Sequence, residues 1–307
     1  WQGRGLIYAP PLDESWKHQF AMLPTPVVRK NGDLRVFLGF CDPGMVGRVG
    51  YVDVDPYDPS KIRGISKTPV LDIGAPGTFD DNGVVPISLV SAGDELRLYY
   101  IGFQLGVKVP YFMFCGMAIS ADDGDSFTRV SKSPVVERND IELYARCGCH
   151  VMWDDGVWRM WYVGSVAEGW SQNGDKAVPL YTVRHVSSED GINWSPSVGT
   201  PCIDFASADE HGFGRPFVRK LATGYEMLVS VRTFSRGYYL SRAWSKDGLV
   251  WERSNEDLPI SRLSASDWDS ENTSYAHTWE MQGRQFLFYN GNGCGKSGVG
   301  FAEWIDP

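Results

Sequence analysis

Acidic, cationic and imidazole side chains gather in four short stretches: Asp80-Asp81-Asn82, then Glu142, Tyr144 and Arg146, then Asp209-Glu210-His211 with Arg215, then Asp269, Glu271-Asn272, Tyr275 and His277. Carboxylic acids held in different surroundings divide into a neutral proton donor and an ionised base, which is what glycoside chemistry requires. Asp81, Glu271 and Glu142 are therefore the catalytic candidates. Asp80 and Asp81 are adjacent, so one faces inward and the other caps a turn, and Asp81 is assigned to the pocket. Arg215 directly precedes the strand-like run Pro-Phe-Val-Arg, where a guanidinium implies an anion or a carboxylate opposite. A salt bridge to Glu210 or Asp81 would answer it equally. The substrate-binding candidates are Arg215, Asp80, Asn82, Arg146, His211, Tyr275, His277, Trp170 and Lys296. For each of them the competing role is structural: a turn cap, an ion pair or a satisfied hydrogen bond.

Two aromatic insertions, 104–112 and 168–181, are expected to be loops that fold over the site, where Trp170 or Tyr111 could stack on a sugar face.

The elements that must position these residues repeat. Five segments share a turn followed by an alternating apolar run, for example Gly93-Asp-Glu-Leu-Arg-Leu-Tyr-Tyr-Ile-Gly102 and Asp155-Gly-Val-Trp-Arg-Met-Trp-Tyr-Val-Gly164. With Gly39, Gly102, Gly164, Arg232 and Gly291 taken as equivalent, the steps are 63, 62, 68 and 59 residues. A second element, the turn in Ser120-Ala-Asp-Asp-Gly124, Ser188-Glu-Asp-Gly191 and Ser245-Lys-Asp-Gly248, has side chains suited to bonding the turn backbone. A third is a proline-led exit from the outermost strand at Thr68-Pro69, Ser133-Pro134, Thr200-Pro201 and Leu258-Pro259. Each period reads as a four-stranded antiparallel blade, and the whole as an all-β five-bladed propeller forming a single domain over 1–307. The last repeat lacks one strand. The opening run Gly3-Arg-Gly-Leu-Ile-Tyr-Ala9 is predicted to supply it and close the ring. Innermost strands are expected near 23–29, 83–90, 148–153, 215–220 and 274–281, with the candidate residues at their entrances.

The 34 glycines, 18 prolines and 41 aromatic residues (12 Trp, 14 Tyr, 15 Phe) suit many short strands. A formal charge of −9 argues against nucleic acid or an anionic membrane as partner. No apolar run approaches the roughly 18 residues of a membrane span, and no basic-then-apolar leader opens the sequence. The six cysteines are too sparse for a disulfide scaffold, and Cys147-Gly148-Cys149 lacks the spacing of a zinc or redox site. They read as buried, reduced and structural, which implies a cytoplasmic setting without metal or cofactor.

The combination Leu23-Pro-Thr-Pro26, Thr78-Phe-Asp-Asp-Asn-Gly-Val84, Asp190-Gly-Ile-Asn-Trp194, Gly214-Arg-Pro216, Trp268-Asp-Ser-Glu271 and Phe288-Tyr-Asn-Gly-Asn-Gly293 resembles bacterial glycoside-hydrolase-like propellers related to families 32 and 43. The resemblance spans essentially the whole chain. It implies a five-bladed fold and a carbohydrate substrate, often in surface-polysaccharide metabolism. Family 43 enzymes carry an Asp at the start of the first blade, an Asp in the second and a Glu in the third. Asp81 and Glu142 match the second and third, whereas the first blade enters through His18-Gln-Phe-Ala-Met-Leu-Pro24 without a carboxylate.

Three functions follow. The chain could cleave or transfer a glycosyl unit with Asp81 and Glu271 as the acid/base pair. It could modify a nucleotide-linked sugar, with Arg146, Arg184, Arg215, Lys108 and Lys296 on the diphosphate. It could be a non-catalytic carbohydrate-binding propeller. Arginines and lysines at the mouth favour the second; carboxylates and aromatic platforms alone favour a neutral glycan.

Overall fold

A computed structural model of the chain describes residues 1–174, 176–262 and 268–305. Asp175, in the second insertion, lies outside them. The fold is all-β and consists of five four-stranded antiparallel groups. The first contains β2 (Gln19–Val28), β3 (Leu34–Cys41), β4 (Gly47–Val54) and β5 (Ile62–Ile65). The second contains β6 (Val84–Ala92), β7 (Glu95–Leu105), β8 (Tyr111–Ser120) and β9 (Thr128–Arg129). The third contains β10 (Ala145–Asp154), β11 (Val157–Asn173), β12 (Lys176–Ser188) and β13 (Thr200–Ile203). The fourth contains β14 (Glu210–Leu221), β15 (Gly224–Thr233), β16 (Gly237–Ser245) and β17 (Glu252–Arg253). The fifth contains β18 (Ser274–Met281), β19 (Arg284–Asn290), β20 (Val299–Glu303) and, as its outer strand, the N-terminal β1 (Gln2–Tyr8).

The N-terminal run thus completes the last sheet, as its sequence predicts. The middle three groups are not separate sheets, however. Short parallel pairings of β8 with β10 (Met113 to Ala145) and of β12 with β14 (Tyr181 to Gly212) fuse them into one 12-stranded sheet. The two aromatic insertions also differ from expectation. They are strand extensions, with β7 and β8 paired out to Leu105 and Tyr111 and β11 and β12 out to Asn173 and Lys176. Continued ladders satisfy backbone groups that loops would leave to water.

The hairpins follow local chemistry. At Asp155-Gly156 and Gln282-Gly283 both residues are left-handed, the twist a two-residue turn between antiparallel strands requires. The Ser-Asp-Gly turns do more than reverse the chain. The Gly124, Gly191 and Gly248 amides donate to the hydroxyls of Ser120, Ser188 and Ser245. Their carbonyls then accept hydrogen bonds from Arg35, Tyr99 and Trp161, each on the second strand of the preceding group. Arg284 of the fifth group reaches the Tyr57 carbonyl of the first in the same way.

Large buried rings, including Phe37, Tyr99, Tyr100, Trp161, Phe213 and Phe286, fill the spaces between groups. No helix among the described residues is long and apolar enough to cross a membrane.

Candidate functional site

One irregularity recurs in the first strand of every group. The register slips at Leu23 in β2, at Ile87 in β6, at Gly148 in β10, at Arg215 in β14 and at Tyr275 in β18. These bulges re-aim side chains and bend the strands. All five bulge residues line a single cavity of ≈ 240 Å³. Four of them are left-handed: Leu23 (φ 60), Gly148 (φ 60), Arg215 (φ 40) and Tyr275 (φ 57). For the bulky ones this conformation is strained, and such strain persists only where surrounding structure enforces it.

Arg215 crosses the cavity floor and is 2% exposed. Its Nη1 donates to the Tyr275 carbonyl at 3.2 Å, and its Nη2 to the Thr25 hydroxyl at 3.0 Å and the Ile87 carbonyl at 3.3 Å. All three acceptors are neutral. Burial lowers its pKa to about 9. Arg232, on β15, is the second cation of the cavity. Its Nη1 donates to the Tyr181 hydroxyl at 3.1 Å, and Tyr181 and Tyr238 hydroxyls lie 3.2 Å apart. Tyr111 and Tyr275 complete a phenolic wall beside apolar Met22, Val85, Ile101, Phe103 and Val163. No carboxylate belongs to the described lining. Behind Arg215, Phe217 lies between His150 and His277, with ring centroids 4.9 and 4.2 Å away. Burial, and then the Arg215 charge, lowers the His150 pKa to about 3 and depresses that of His277 well below the ordinary imidazole value.

Of the residues singled out by sequence, the cavity brings together Arg215, Tyr275 and Tyr111, while His277 packs on Phe217 outside its described lining. The carboxylates lie elsewhere. Asp81 caps a turn by accepting the Gly77 amide at 2.8 Å. Its neighbour Asp80 is the inward one, fully buried and accepting from Tyr100 at 2.9 Å, Arg129 at 2.7 Å and Thr78 at 2.8 Å. Glu142 is also fully buried, 3.0 Å from Arg146 Nε and 3.5 Å from Arg184 Nε, and it accepts from Tyr162 at 2.8 Å and Asn139 at 2.8 Å. Arg146 is used up there and on the Glu137 and Ser197 carbonyls. Glu210 pairs with Arg253 at 2.9 Å, so neither it nor Asp81 answers Arg215. Asp269 accepts from Tyr289. Glu271 is exposed, its amide held by the Asn292 side chain. Asn82 is half-buried and donates its amide to the Phe103 carbonyl, and Lys296 is exposed; neither lines the cavity. His211 is buried, stacked 4.4 Å from Phe234, with its Nδ1 unpartnered. Trp170 packs 4.9 Å from Tyr144 and 6.2 Å from Tyr111.

Among the cavity residues that sequence reading misses are Tyr181, Tyr238, Arg232 and Cys294. Arg232 occupies the position held by Gly39, Gly102, Gly164 and Gly291 in the other repeats. A Cβ at those glycines would meet Val85, Phe79, Glu142 or Trp268 at 2.6 Å or less. The fourth repeat instead places a guanidinium there, and that break in the pattern was the available signal. Cys294, expected to be an inert core thiol, forms part of the cavity wall from a left-handed turn with Gly293 and Gly295. Burial raises its pKa. Among the described residues no group of three or more His, Cys, Asp or Glu side chains could hold a metal ion.

Over 302 residues the chain is 34% identical to Rv1502 of Mycobacterium tuberculosis H37Rv, an uncharacterized protein, with 98% of both chains covered. The chain belongs to the Rv1502 family. A second member, MT1551 of strain CDC 1551, is equally similar at 34% over 302 residues. No family model matches the sequence. Among solved structures this Rv1502-family chain is similar to a glycoside hydrolase at TM-score 0.73 and 17% identity, covering 99% of this chain and 92% of that one. A GH130 structure, from a family described as mannoside phosphorylases that contains hydrolases of β-1,2-mannosidic linkages in Candida mannan, gives 0.67 at 17% identity over 99% and 92%. The GH32 β-fructofuranosidase BmSUC1 of Bombyx mori gives 0.60 at 14% over 94% and 61%. These likenesses are of fold: the chain shares its all-β, propeller-type architecture with glycoside-hydrolase structures.

Proposed function

We propose that the chain is a carbohydrate-active protein of propeller type that holds the anionic group of a phosphorylated or nucleotide-linked sugar in its axial cavity. One observation carries this reading. Two guanidinium groups, Arg215 and Arg232, enter a small tyrosine-walled cavity whose described lining contains no carboxylate. A buried cation without a counter-ion is costly, and an anionic ligand removes that cost with charge-assisted hydrogen bonds. The phenol hydroxyls offer further donors to phosphate and sugar oxygens.

In this reading the five groups are blades of one closed ring spanning residues 1–307. Each bulged first strand is then an inner strand, so that five distant segments meet on one axis. The inter-group hydrogen bonds from Arg35, Tyr99, Trp161 and Arg284 support that order. The six free thiols suit a reducing compartment. Hydrolysis of a neutral glycan by paired carboxylates has less support, because it needs two acids roughly 5 to 10 Å apart across the substrate, and the turn-capping Asp81 and the exposed Glu271 both lie outside the cavity lining.

Thermal-shift and calorimetric screening tests this. Inorganic phosphate, glucose 1-phosphate and UDP-glucose are expected to stabilise the protein, and neutral oligosaccharides to do so weakly. Equal or stronger responses to neutral glycans would overturn the reading.

A further inference from the structure

Beside the axial cavity runs a second, apolar one of ≈ 560 Å³, and the two share a wall. Phe112, Ile141, Leu143, Val166 and Trp170 line the groove, with Lys108 the one charged side chain of its described lining. Tyr111 and Phe112 are consecutive on β8, so they face opposite sides: the first lines the axial cavity and the second the groove. Trp170 lies 6.2 Å from Tyr111, and its buried indole Nε1 has no partner. That N–H stands at the junction as an unused donor. Around the groove, apolar side chains stand in water: Val107 is 100% exposed, Leu105 63%, Leu143 54% and Ile141 39%. Such a cluster next to a binding cavity marks a place that something covers.

The chemistry of the occupant follows from what the groove lacks. At ≈ 240 Å³ the axial cavity is smaller than the roughly 300 to 1,000 Å³ of ordinary ligand sites, so the remainder of a larger ligand must leave through the mouth. A nucleobase leaving by this route would meet the Trp170 indole N–H and Lys108 as donors and otherwise a mainly apolar lining, so most of its ring nitrogens and carbonyls would go unsatisfied. Trp170 packs against Tyr144 at 4.9 Å, tilted by 41°, and meets Tyr111 edge-on at 6.2 Å, so its ring belongs to an aromatic cluster of the wall. A hydrocarbon chain makes no polar demand and gains from each methylene it buries.

We infer that the groove formed by Phe112, Ile141, Leu143 and Trp170 takes the hydrocarbon chain of an anionic lipid-linked sugar whose phosphate is held by Arg215 and Arg232. This rests on the anion reading of the axial cavity and adds the aglycone class to it. Ligand charge and ligand chain occupy two compartments of one site. The exposed aliphatic side chains at the rim are covered when the chain is in place.

The test compares inorganic phosphate, UDP-glucose and decyl phosphate below its micelle concentration, by calorimetry on the full chain and on the variants Leu143→Ser, Ile141→Ser and Arg232→Gln. Leu143 and Ile141 are exposed enough for serine to leave the fold intact, and the melting temperature verifies it. Decyl phosphate is expected to bind at least about 30-fold more tightly than phosphate. Either serine variant should lose about tenfold of that gain with phosphate affinity unchanged, whereas Arg232→Gln should weaken both ligands. Phosphate binding without a gain from the chain, a gain from UDP-glucose as large as from decyl phosphate, or indifference to both serine substitutions would overturn the groove proposal and leave the axial reading standing. Decyl phosphate binding that survives Arg232→Gln unchanged would overturn the two-compartment site. Absence of all binding would sink the axial reading and the groove with it.

Discussion

Glu142 and Arg215 are both almost completely removed from water, yet the protein treats them in opposite ways. Glu142 lies between two guanidinium groups and accepts from a phenol and an amide. Arg215 meets only a hydroxyl and two backbone carbonyls. Asp80 and Glu142 are neutralised from within the chain, and the cations of the cavity have no carboxylate in its described lining. Burial alone therefore does not mark a site; a buried charge whose compensation is missing does.

Removing one member of the compensated set should have the largest effect. Glu142→Gln leaves Arg146 and Arg184 facing a neutral amide, and a loss of about 3 to 5 kcal/mol is expected in denaturant unfolding. A loss below about 1 kcal/mol would make the contrast untenable. Arg215→Met should behave in the reverse sense: the melting temperature in phosphate-free buffer holds or rises, because an uncompensated buried charge disappears. Stabilisation by inorganic phosphate is lost at the same time. A variant that unfolds easily and still responds to phosphate would reverse the assignment.

Acid sharpens the comparison next. His150 has a folded pKa of about 3 against roughly 6.5 in the unfolded chain. His277 is depressed in the same direction. The unfolded state then takes up protons first, so stability is full above about pH 6.5 and falls as pH drops towards 3. His150→Phe should flatten the upper part of that slope, as read from melting temperatures across the range. Below about pH 4 the turn carboxylates follow, since backbone amides of Val250 and Leu249 hold Asp247 near 2. The smallest effect is expected at the acids outside the cavity. Asp81→Asn and Glu271→Gln should change affinity for phosphate or a sugar phosphate by less than about twofold, since the Asp81 carboxylate caps a turn, the Glu271 side chain is exposed, and neither lines the cavity. Loss of turnover in either would return hydrolysis by carboxylates to the lead.

The sheet groups were legible because their signals are local: a turn chemistry, an alternation, a period near 60 residues. Arg215 and Tyr275 were found because both fall on first strands, where side chains converge, although β14 begins at Glu210 and Arg215 sits at its central bulge rather than at its entrance. The acids misled for a physical reason. A carboxylate at a strand entrance looks the same in sequence whether it faces a ligand or an arginine from a distant strand, and only the fold brings Arg129 to Asp80 or Arg184 to Glu142. The bulges that create the cavity leave almost no sequence trace, since Leu23, Ile87 and Tyr275 are ordinary strand residues. Arg232 was readable in principle, as the one large residue in a column of glycines.

The glycine carbonyls that accept from Arg35, Tyr99 and Trp161, with the Tyr57 carbonyl that accepts from Arg284, fasten neighbouring strand groups to one another. Between the fourth and fifth groups the outer strand β1 and the segment after β17 make the contact instead. There the opening residues do the fastening, with Gly3 donating to the Ser261 carbonyl and Ser261 to that of Trp1, at 2.8 and 2.9 Å. Residues 1–3 therefore tie the fifth group to the segment that follows β17. Heat or pulling force should part this contact before those between the other groups yield.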